Sequence, residues 1–218
     1  MKKVILVDGN NLLFRSYYAT AYTGNVMRNS QGFPTNGLFG FVNMINTIIN
    51  DENPSYIMVA FDVGKTFRHE EYGDYKGGRI ETPDDLKVQF PKAKAILTAM
   101  GIKYLECGGY EADDIIGTFA NTIDNMEDTE GLIVSSDKDL LQLISDKVTV
   151  KLLKSKDYIM MNPTTFRETY GIEPIRMIDL KGLMGDASDN IPGVKGIGEK
   201  TALKIARSEE RRVGKECR

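Results

Sequence analysis

An α/β fold, with a mostly parallel central sheet and helices on both faces, is the architecture this sequence predicts, and three observations predict it. Apolar runs of strand length alternate with helix-length amphipathic stripes along most of the 218 residues. The runs, such as Val4 to Val7 and Gly131 to Ser135, are nearly continuous, as strands buried on both faces require. Several of them end on an aspartate or within a few residues of one, at the edge where an open parallel sheet binds its ligands.

In chain order, Val4 to Val7 is the first strand and runs into the polar turn Asp8-Gly9-Asn10. Leu12 to Ala19 reads as a short helix. Pro34-Thr35-Asn36-Gly37 opens a longer one, with Leu38, Phe41, Val42, Ile45, Ile48 and Ile49 as its apolar stripe and Asn53-Pro54 as its stop. Tyr56 to Phe61 is the second strand and closes on Asp62. Residues 63–90 differ in kind: Val63 to Asp85 is rich in Gly, Lys, Arg and Glu with weak periodicity, the composition of a mobile or substrate-ordered segment. Pro83-Asp84-Asp85 is expected to start one helix through Phe90, Ala93, Ile96, Leu97 and Met100. Ile102 to Glu106 is the third strand, and Tyr110 to Ile123 a helix with three acids in its first turns. Gly131 to Ser135 is the fourth strand, followed by a short helix through Leu140 and Leu143. Val148 to Leu153 and Tyr158 to Met161 form a strand hairpin, and Pro163 and Pro174 each open a helix.

Bulk composition narrows the function. Apolar residues at 41% and charged residues at 27% describe an ordinary globule able to build one sizeable core. No apolar run reaches the roughly 18 residues of a membrane span, and no signal-peptide pattern precedes the first strand. Two cysteines, Cys107 and Cys217, are too few for a disulfide framework and suit a reducing cytoplasm. With His69 as the single histidine, nothing is left for a His-rich metal site, and zinc is not the expected ion.

Nine carboxylates then stand out: Asp8, Asp62, Glu111, Asp113, Asp114, Asp137, Asp139, Asp186 and Asp189. Each lies beside a strand end, a helix start or a glycine turn. Asp8, Asp62, Asp137 and Asp139 follow strand runs and can converge on one sheet edge. The three-residue spacing of Glu111 and Asp114 puts them on one helix face, with Asp113 pointing in a neighbouring direction, and Asp186 and Asp189 repeat that spacing. Like charges in such number need cations, and oxygen-only donors favour Mg2+ or Mn2+. Two ions about 3.5–4 Å apart can hold an attacking water and a leaving oxygen across one phosphate, so phosphodiester hydrolysis needs no histidine base. Leaving these nine out of the count turns the net charge from −3 to +6, a mildly basic remainder suited to phosphate contacts. Charge alone does not separate that reading from ordinary solubility, and any one of the acids by itself is as well explained as a helix cap.

Two further elements point to nucleic acid. Arg68, Lys76 and Arg79 are interleaved with Phe67, Tyr72 and Tyr75, a pattern that neutralises phosphates while bases stack, although alone it would pass for a solvated loop. The stretch Ile191 to Ala202 contains Gly193, Lys195, Gly196, Gly198, Lys200 and Thr201. Its glycines permit a tight turn whose amides and following helix start face phosphate, a helix-hairpin-helix type grip on duplex backbone. The spacing of a phosphate-loop nucleotide site is absent.

With these residues in view, the sequence closely resembles the 5′-nuclease family, akin to flap endonucleases, in particular the 5′→3′ exonuclease region of bacterial DNA polymerase I and its free-standing relatives. The matching stretches are Leu6-Val7-Asp8-Gly9-Asn10, Phe61-Asp62, Phe67-Arg68, Tyr75-Lys76-Gly77-Gly78-Arg79, Gly109 to Asp114, Ser136 to Leu140 and Gly185 to Asn190, with the glycine turn. The resemblance implies a PIN/5′-nuclease-like core over 1–180, an arch over about 63–90, and a helix-three-turn-helix element over 181–207 that is cut short. It implies that Asp8, Asp62, Glu111, Asp113, Asp114, Asp137 and Asp139 hold the tighter metal ion, and that Asp186 and Asp189, with Asp137 and Asp139 nearby, hold the second. It makes Lys76 and Arg79 the catalytic basic pair. Arg68, Tyr75, Lys76, Arg79 and the glycine-turn residues would contact DNA, with K+ on carbonyls of that turn. The expected substrates are 5′ flaps, nicks and RNA primers on DNA. The expected protein is a monomer in the bacterial nucleoid, acting beside or fused to a DNA polymerase.

Two rivals are a catalytically inactive DNA-binding replication or repair scaffold, which predicts missing carboxylates, and a PIN-like ribonuclease, which gives no reason for the glycine turn. Residues 208–218, dense in Lys, Arg and Glu, read either as a solvated helix end or as unrelated sequence joined on, as translated vector would be.

Overall fold

The computed structural model describes residues 1–21, 26–155 and 157–216, with the side chains of 209–216 outside that description. Six strands form the main sheet: β1 (Lys2–Asp8), β2 (Tyr56–Ala60), β3 (Lys103–Leu105), β4 (Thr129–Ser135), β5 (Val148–Leu153) and β6 (Tyr158–Met161). Their spatial order is β3-β2-β1-β4-β5-β6. All pairings are parallel except β5 with β6, the expected hairpin. The chain leaves β1 towards β2 on one side and returns to β4 on the other. That reversal makes the crevice beyond β1 and β4 the switch point at which such sheets bind ligands.

Side-chain alternation along the strands feeds two cores. Ile5, Val7, Val59, Phe61, Leu132 and Val134 pack with Leu12, Leu13, Phe41, Ile45 and Leu97. These last come from the helices α1 (Gly9–Ala21), α2 (Asn36–Glu52) and, beyond the short α3 (Phe67–Glu71) and α4 (Asp84–Lys87), from α5 (Gln89–Ala99). On the other face Leu6, Met58, Ile133 and Val150 pack with α6 (Ala112–Asp124), α7 (Pro163–Tyr170), α8 (Met177–Met184) and α9 (Glu199–Glu216) through Ile116, Phe166, Leu180 and Ala202. The C-terminal helices therefore share the second core of the sheet.

Three expectations change. The helix expected from Pro83 is two pieces, α4 and α5, because Pro91 in the first turn of α5 has no N–H to offer Lys87 and its ring crowds that carbonyl. Glu111 is not on α6 but is its extended N-cap residue, at φ −93° and ψ 163°. Residues 63–90 are not a loose loop. Thr66 N donates to His69 Nδ1 to cap α3, Lys76 N bonds the Asp189 carbonyl at 2.9 Å, and Asn190 Nδ2 bonds the Asp74 carbonyl at 2.9 Å. Composition hid this docking because its bonds are polar and long-range.

Near the end, the two-stranded β7 (Gly185–Asp186) and β8 (Ile191–Pro192) bring backbones together so closely that a Cβ on Gly193 would lie 2.2 Å from the Met184 carbonyl carbon. Helix α9 runs without interruption through Ser208, so the junction expected there is not marked by a change in backbone. The character of residues 209–218 otherwise lies outside the described side chains.

Candidate metal-dependent site

Strand ends place the inner acids. Asp8 terminates β1, and its carboxylate accepts from Asn11 N at 2.9 Å and from the Ser135 hydroxyl at 2.9 Å. Asp62 follows β2 and accepts from Asn10 Nδ2 at 2.8 Å and Ala112 N at 2.7 Å, which ties it to the start of α6. Asp137 follows β4 and accepts from Asp139 N at 2.8 Å. Asp113 enters from the first turn of α6, whose positive end favours negative charge. A cavity of about 520 Å³ at the switch point is lined by Asp8, Asp62, Glu111, Asp113 and Asp137, with Lys76 and Arg79 on its wall.

Charge is uncompensated in this inner group. Among the described residues, Asp8, Asp62, Asp113 and Asp137 have no lysine or arginine at ion-pair distance, and the Asp113 carboxylate has no hydrogen-bond partner. Burial pushes Asp8 up to about 6 from its ordinary 3.8, against the bonds from Asn11 and Ser135 and with help from the charges of Asp62 and Asp137. Burial, then Asp8, Asp137, Asp62 and Glu111, hold Asp113 well above the usual carboxylate range.

The remaining acids are each gripped by a base. Arg68 makes a two-pronged pair with Asp114 at 2.7 and 2.8 Å, and Asp114 in turn accepts from Glu111 N at 2.8 Å. The Arg68 bond is the main reason the Asp114 carboxyl lies below its ordinary range. Lys76 holds Glu111 at 2.7 Å, and Arg79 holds Asp189 at 2.6 Å. Lys181 lies 2.6 Å from both Asp139 and Asp186. Asp139 is raised by burial despite that lysine, while Asp186, where burial opposes, is drawn down to about 2 by Lys181 and Ser188. A second cavity of about 530 Å³ joins Glu111 and Asp113 to Asp114, Asp139 and Asp189.

The geometry revises several expected roles. Asp114 stands apart from the inner group, because Arg68 and the Glu111 amide hold it outward. Arg68 is committed to Asp114 and lies over the Phe67 ring at 4.6 Å, so it is not free for phosphate. Tyr75 is 5% exposed and its hydroxyl donates into Glu111 and Asp189 at 3.1 and 3.0 Å, which leaves no face for stacking a base. Gly193 is consumed by the β7–β8 contact. Gly196, at φ +83°, makes the turn, and Gly198 starts α9 by accepting from Thr201 N and Ala202 N at 3.0 Å. Lys195, Lys200 and Thr201 are exposed there, and the two lysines have no ion pair among the described residues.

Sequence reasoning missed Lys181, Asn10, Asn11 and Ser135, which fix the acids. Asn10 and Asn11 were readable as polar residues at a strand end; Lys181 carried no local signal. Lys76 sits at φ 57°, a strained conformation for lysine that only the structure displays.

The donors fit hard divalent cations in kind and number: all are oxygen, and the inner charges lack any other partner. They are not yet a finished coordination shell, since no three Asp, Glu, His or Cys side chains among the described residues are arranged to hold an ion as they stand.

A base-rimmed, carboxylate-lined cavity at the switch point of a parallel sheet has the chemistry of a nucleic-acid phosphate site. The chain belongs to the 5′-3′ exonuclease family: the family's N-terminal resolvase-like domain matches residues 3–171 and its C-terminal SAM fold matches residues 172–210. It is 47% identical over 209 residues to DNA polymerase I of Bacillus caldotenax, covering 94% of this chain but 23% of that protein. It is 46% identical over 211 residues to the 5′-3′ exonuclease of Bacillus subtilis (strain 168), covering 95% of this chain and 71% of that protein. Among solved structures, a bacteriophage T5 flap endonuclease in a pseudo-enzyme–product complex with DNA and metal ions superposes with a TM-score of 0.74. That match has 26% identity and covers 95% of this chain and 75% of the phage protein. The chain thus spans about a quarter of the polymerase relative it matches.

Proposed function

We propose that this chain is a metal-dependent, structure-specific 5′→3′ exonuclease and flap endonuclease, cutting phosphodiesters near the 5′ ends of DNA flaps, nicks and RNA primers. The observation that carries the reading is the convergence of Asp8, Asp62, Asp113 and Asp137 on one cavity, without bases of their own and with Lys76 and Arg79 at its wall. Asp8, Asp62, Asp113 and Asp137, with Glu111, would hold one Mg2+ or Mn2+, and Asp139, Asp186 and Asp189 a second. Such ions supply a deprotonated water near neutral pH and shield the charge of the phosphate.

The chain's own residues do the rest. Ser135 and the Asn11 amide fix the rotamer of Asp8, and Asn10 and the Ala112 amide fix Asp62, so the inner oxygens are preorganised. Lys76 and Arg79 would exchange their carboxylate partners for phosphate oxygens as a strand enters. The turn at Gly196 and Gly198, with Lys195 and Lys200, would hold duplex backbone about the α9 N-terminus, and its carbonyls would take K+. The likeness to a polymerase and to a separate exonuclease supports a role at replication and repair sites, beside or fused to a polymerase. No helix among the described residues is long and apolar enough to cross a membrane, which suits a cytoplasmic setting at the nucleoid.

The test is cleavage of labelled 5′-flap DNA, blunt duplex and single-stranded RNA with and without Mg2+. Mg2+-dependent cutting of the flap above the other two is expected. Selective cutting of RNA would favour the ribonuclease reading, and no cutting of any substrate would favour the inactive scaffold.

A further inference from the structure

We propose that Lys181 is a positioning residue: its ammonium stands between Asp139 and Asp186 and must be displaced when the second divalent ion binds, so this lysine sets the affinity of that ion. The inference rests on the metal-dependent reading above and adds an order to it. The Lys181 Nζ is 2.6 Å from Asp139 Oδ1 and 2.6 Å from Asp186 Oδ2, reaching from α8 to two other segments. Asp139 Oδ1 is buried and accepts no hydrogen bond of good geometry, so the ammonium sits beside it as a bare cation and not as a directed donor.

The two oxygens would remain in place if the lysine left. Asp186 Oδ1 is fastened by Ser188 N at 2.8 Å, the Ser188 hydroxyl at 2.5 Å and Asp189 N at 3.3 Å, so the carboxylate cannot turn away. Asp139 N is bonded to Asp137, which fixes the segment that carries it. Lysine, by contrast, ends a flexible four-carbon stem. An ion entering among Asp8, Asp62, Asp113 and Asp137 displaces no base, whereas an ion entering between Asp139 and Asp186 competes with a tethered charge. Two unequal steps follow. Removing a half-exposed competitor of this kind should tighten the weaker step by about tenfold, roughly 1.4 kcal/mol.

Mn2+ uptake by the full chain, followed by electron paramagnetic resonance of free Mn2+ and by calorimetry, tests this on the wild type, Lys181→Met, Lys181→Arg and Asp113→Asn. The expected result is a tight and a weak step in the wild type, with the weak step alone tightened in Lys181→Met and not tightened in Lys181→Arg. Asp113→Asn should lose the tight step instead. Lys181→Gln gives the same reading should the methionine variant fold poorly. A weak step unchanged or loosened in Lys181→Met and Lys181→Gln, with two steps intact in the wild type, overturns the role of Lys181 alone. A wild-type chain that takes up no Mn2+ overturns the metal reading and the lysine's role together.

Discussion

The inner and outer acids of this site are made of the same residue types and are held in opposite ways. Asp8, Asp62 and Asp137 are fixed by amides, an asparagine and a serine, Asp113 has no hydrogen-bond partner, and none of the four has a base of its own. Asp114, Asp139, Asp186, Asp189 and Glu111 are each clasped by a lysine or arginine. The first arrangement stores repulsion that a bound cation relieves; the second is largely compensated as it stands, with Lys181 shared between two acids. The two groups should therefore answer differently to substitution, to pH and to metal.

The widest gap is expected between single carboxylate removals. Asp137→Ala takes a ligand from the inner group and should lower Mg2+-dependent flap cleavage at least about a thousandfold, while flap binding measured in Ca2+ stays within a few-fold. Cleavage that survives in Asp137→Ala at ordinary Mg2+ would remove that residue from the ligand set.

Acidity separates the groups next. The folded-state value for Asp8 is about 6, above its ordinary 3.8, so the native state keeps a proton that the unfolded chain has released. Its contribution is fully present below about pH 4 and is lost as pH rises through about 6, a change of about 3 kcal/mol. Asp113 acts in the same direction. Asp186, drawn down to about 2, acts oppositely: its contribution is present above about pH 4 and is lost as pH falls through 2. In EDTA the urea midpoint should fall between about pH 4 and pH 6, Asp8→Asn should flatten that fall, and Mn2+ should reverse it. A midpoint that rises with pH across this window in EDTA would show that the inner charges are compensated after all.

These contrasts also mark what the sequence made legible. Asp8, Asp62 and Asp137 were readable because a strand ends beside each, and parallel strands must deliver their ends to one edge. The division between Asp113 and Asp114 was not. The three-residue spacing does bring Asp114 back to Glu111, but as an N3 side chain accepting from the N-cap amide at 2.8 Å, a role that spacing alone does not tell from that of a metal ligand. Lys181 was illegible because Asp139 comes from the segment after β4, which only the folded sheet brings beside α8, and Asp186 just past the end of α8 gave no reason by itself to single the lysine out. The break between α4 and α5 was available in Pro91 and was outweighed by the apolar stripe that continues past it. Tyr75 was misjudged because an aromatic among basic residues looks the same in sequence whether its ring is exposed or its hydroxyl is buried in carboxylates.

The two ends of the DNA path should come apart by kinetics. Lys76 lies in the wall of the acid cavity, whereas Gly196 lies in an exposed turn at the start of α9. Lys76→Ala should lower single-turnover cleavage about a hundredfold with affinity within a few-fold, since its ammonium meets phosphate where charge develops. Gly196→Val forces a branched side chain into φ +83° and should weaken duplex binding about tenfold, leaving single-turnover cleavage of saturated enzyme nearly unchanged. Equal duplex affinity in Gly196→Val and wild type would put the turn outside the binding surface.

The smallest effect is expected where the outer group is most self-sufficient. Asp114→Asn leaves Arg68 without its two-pronged partner but removes no inner oxygen. Both side chains are partly exposed, at 33% and 24%, so solvent screens the loss to about 1 kcal/mol of stability. Mg2+-dependent cleavage should fall no more than about tenfold, through looser docking of α3 and of the segment carrying Lys76, and the Mn2+ affinity of the inner site should hold. The paired variant Asp114→Asn with Arg68→Met should be less impaired than the two single losses combined, because it leaves no unpaired guanidinium behind. A thousandfold loss in Asp114→Asn, equal to that of Asp137→Ala, would dissolve the boundary between the groups and return Asp114 to the metal ligands.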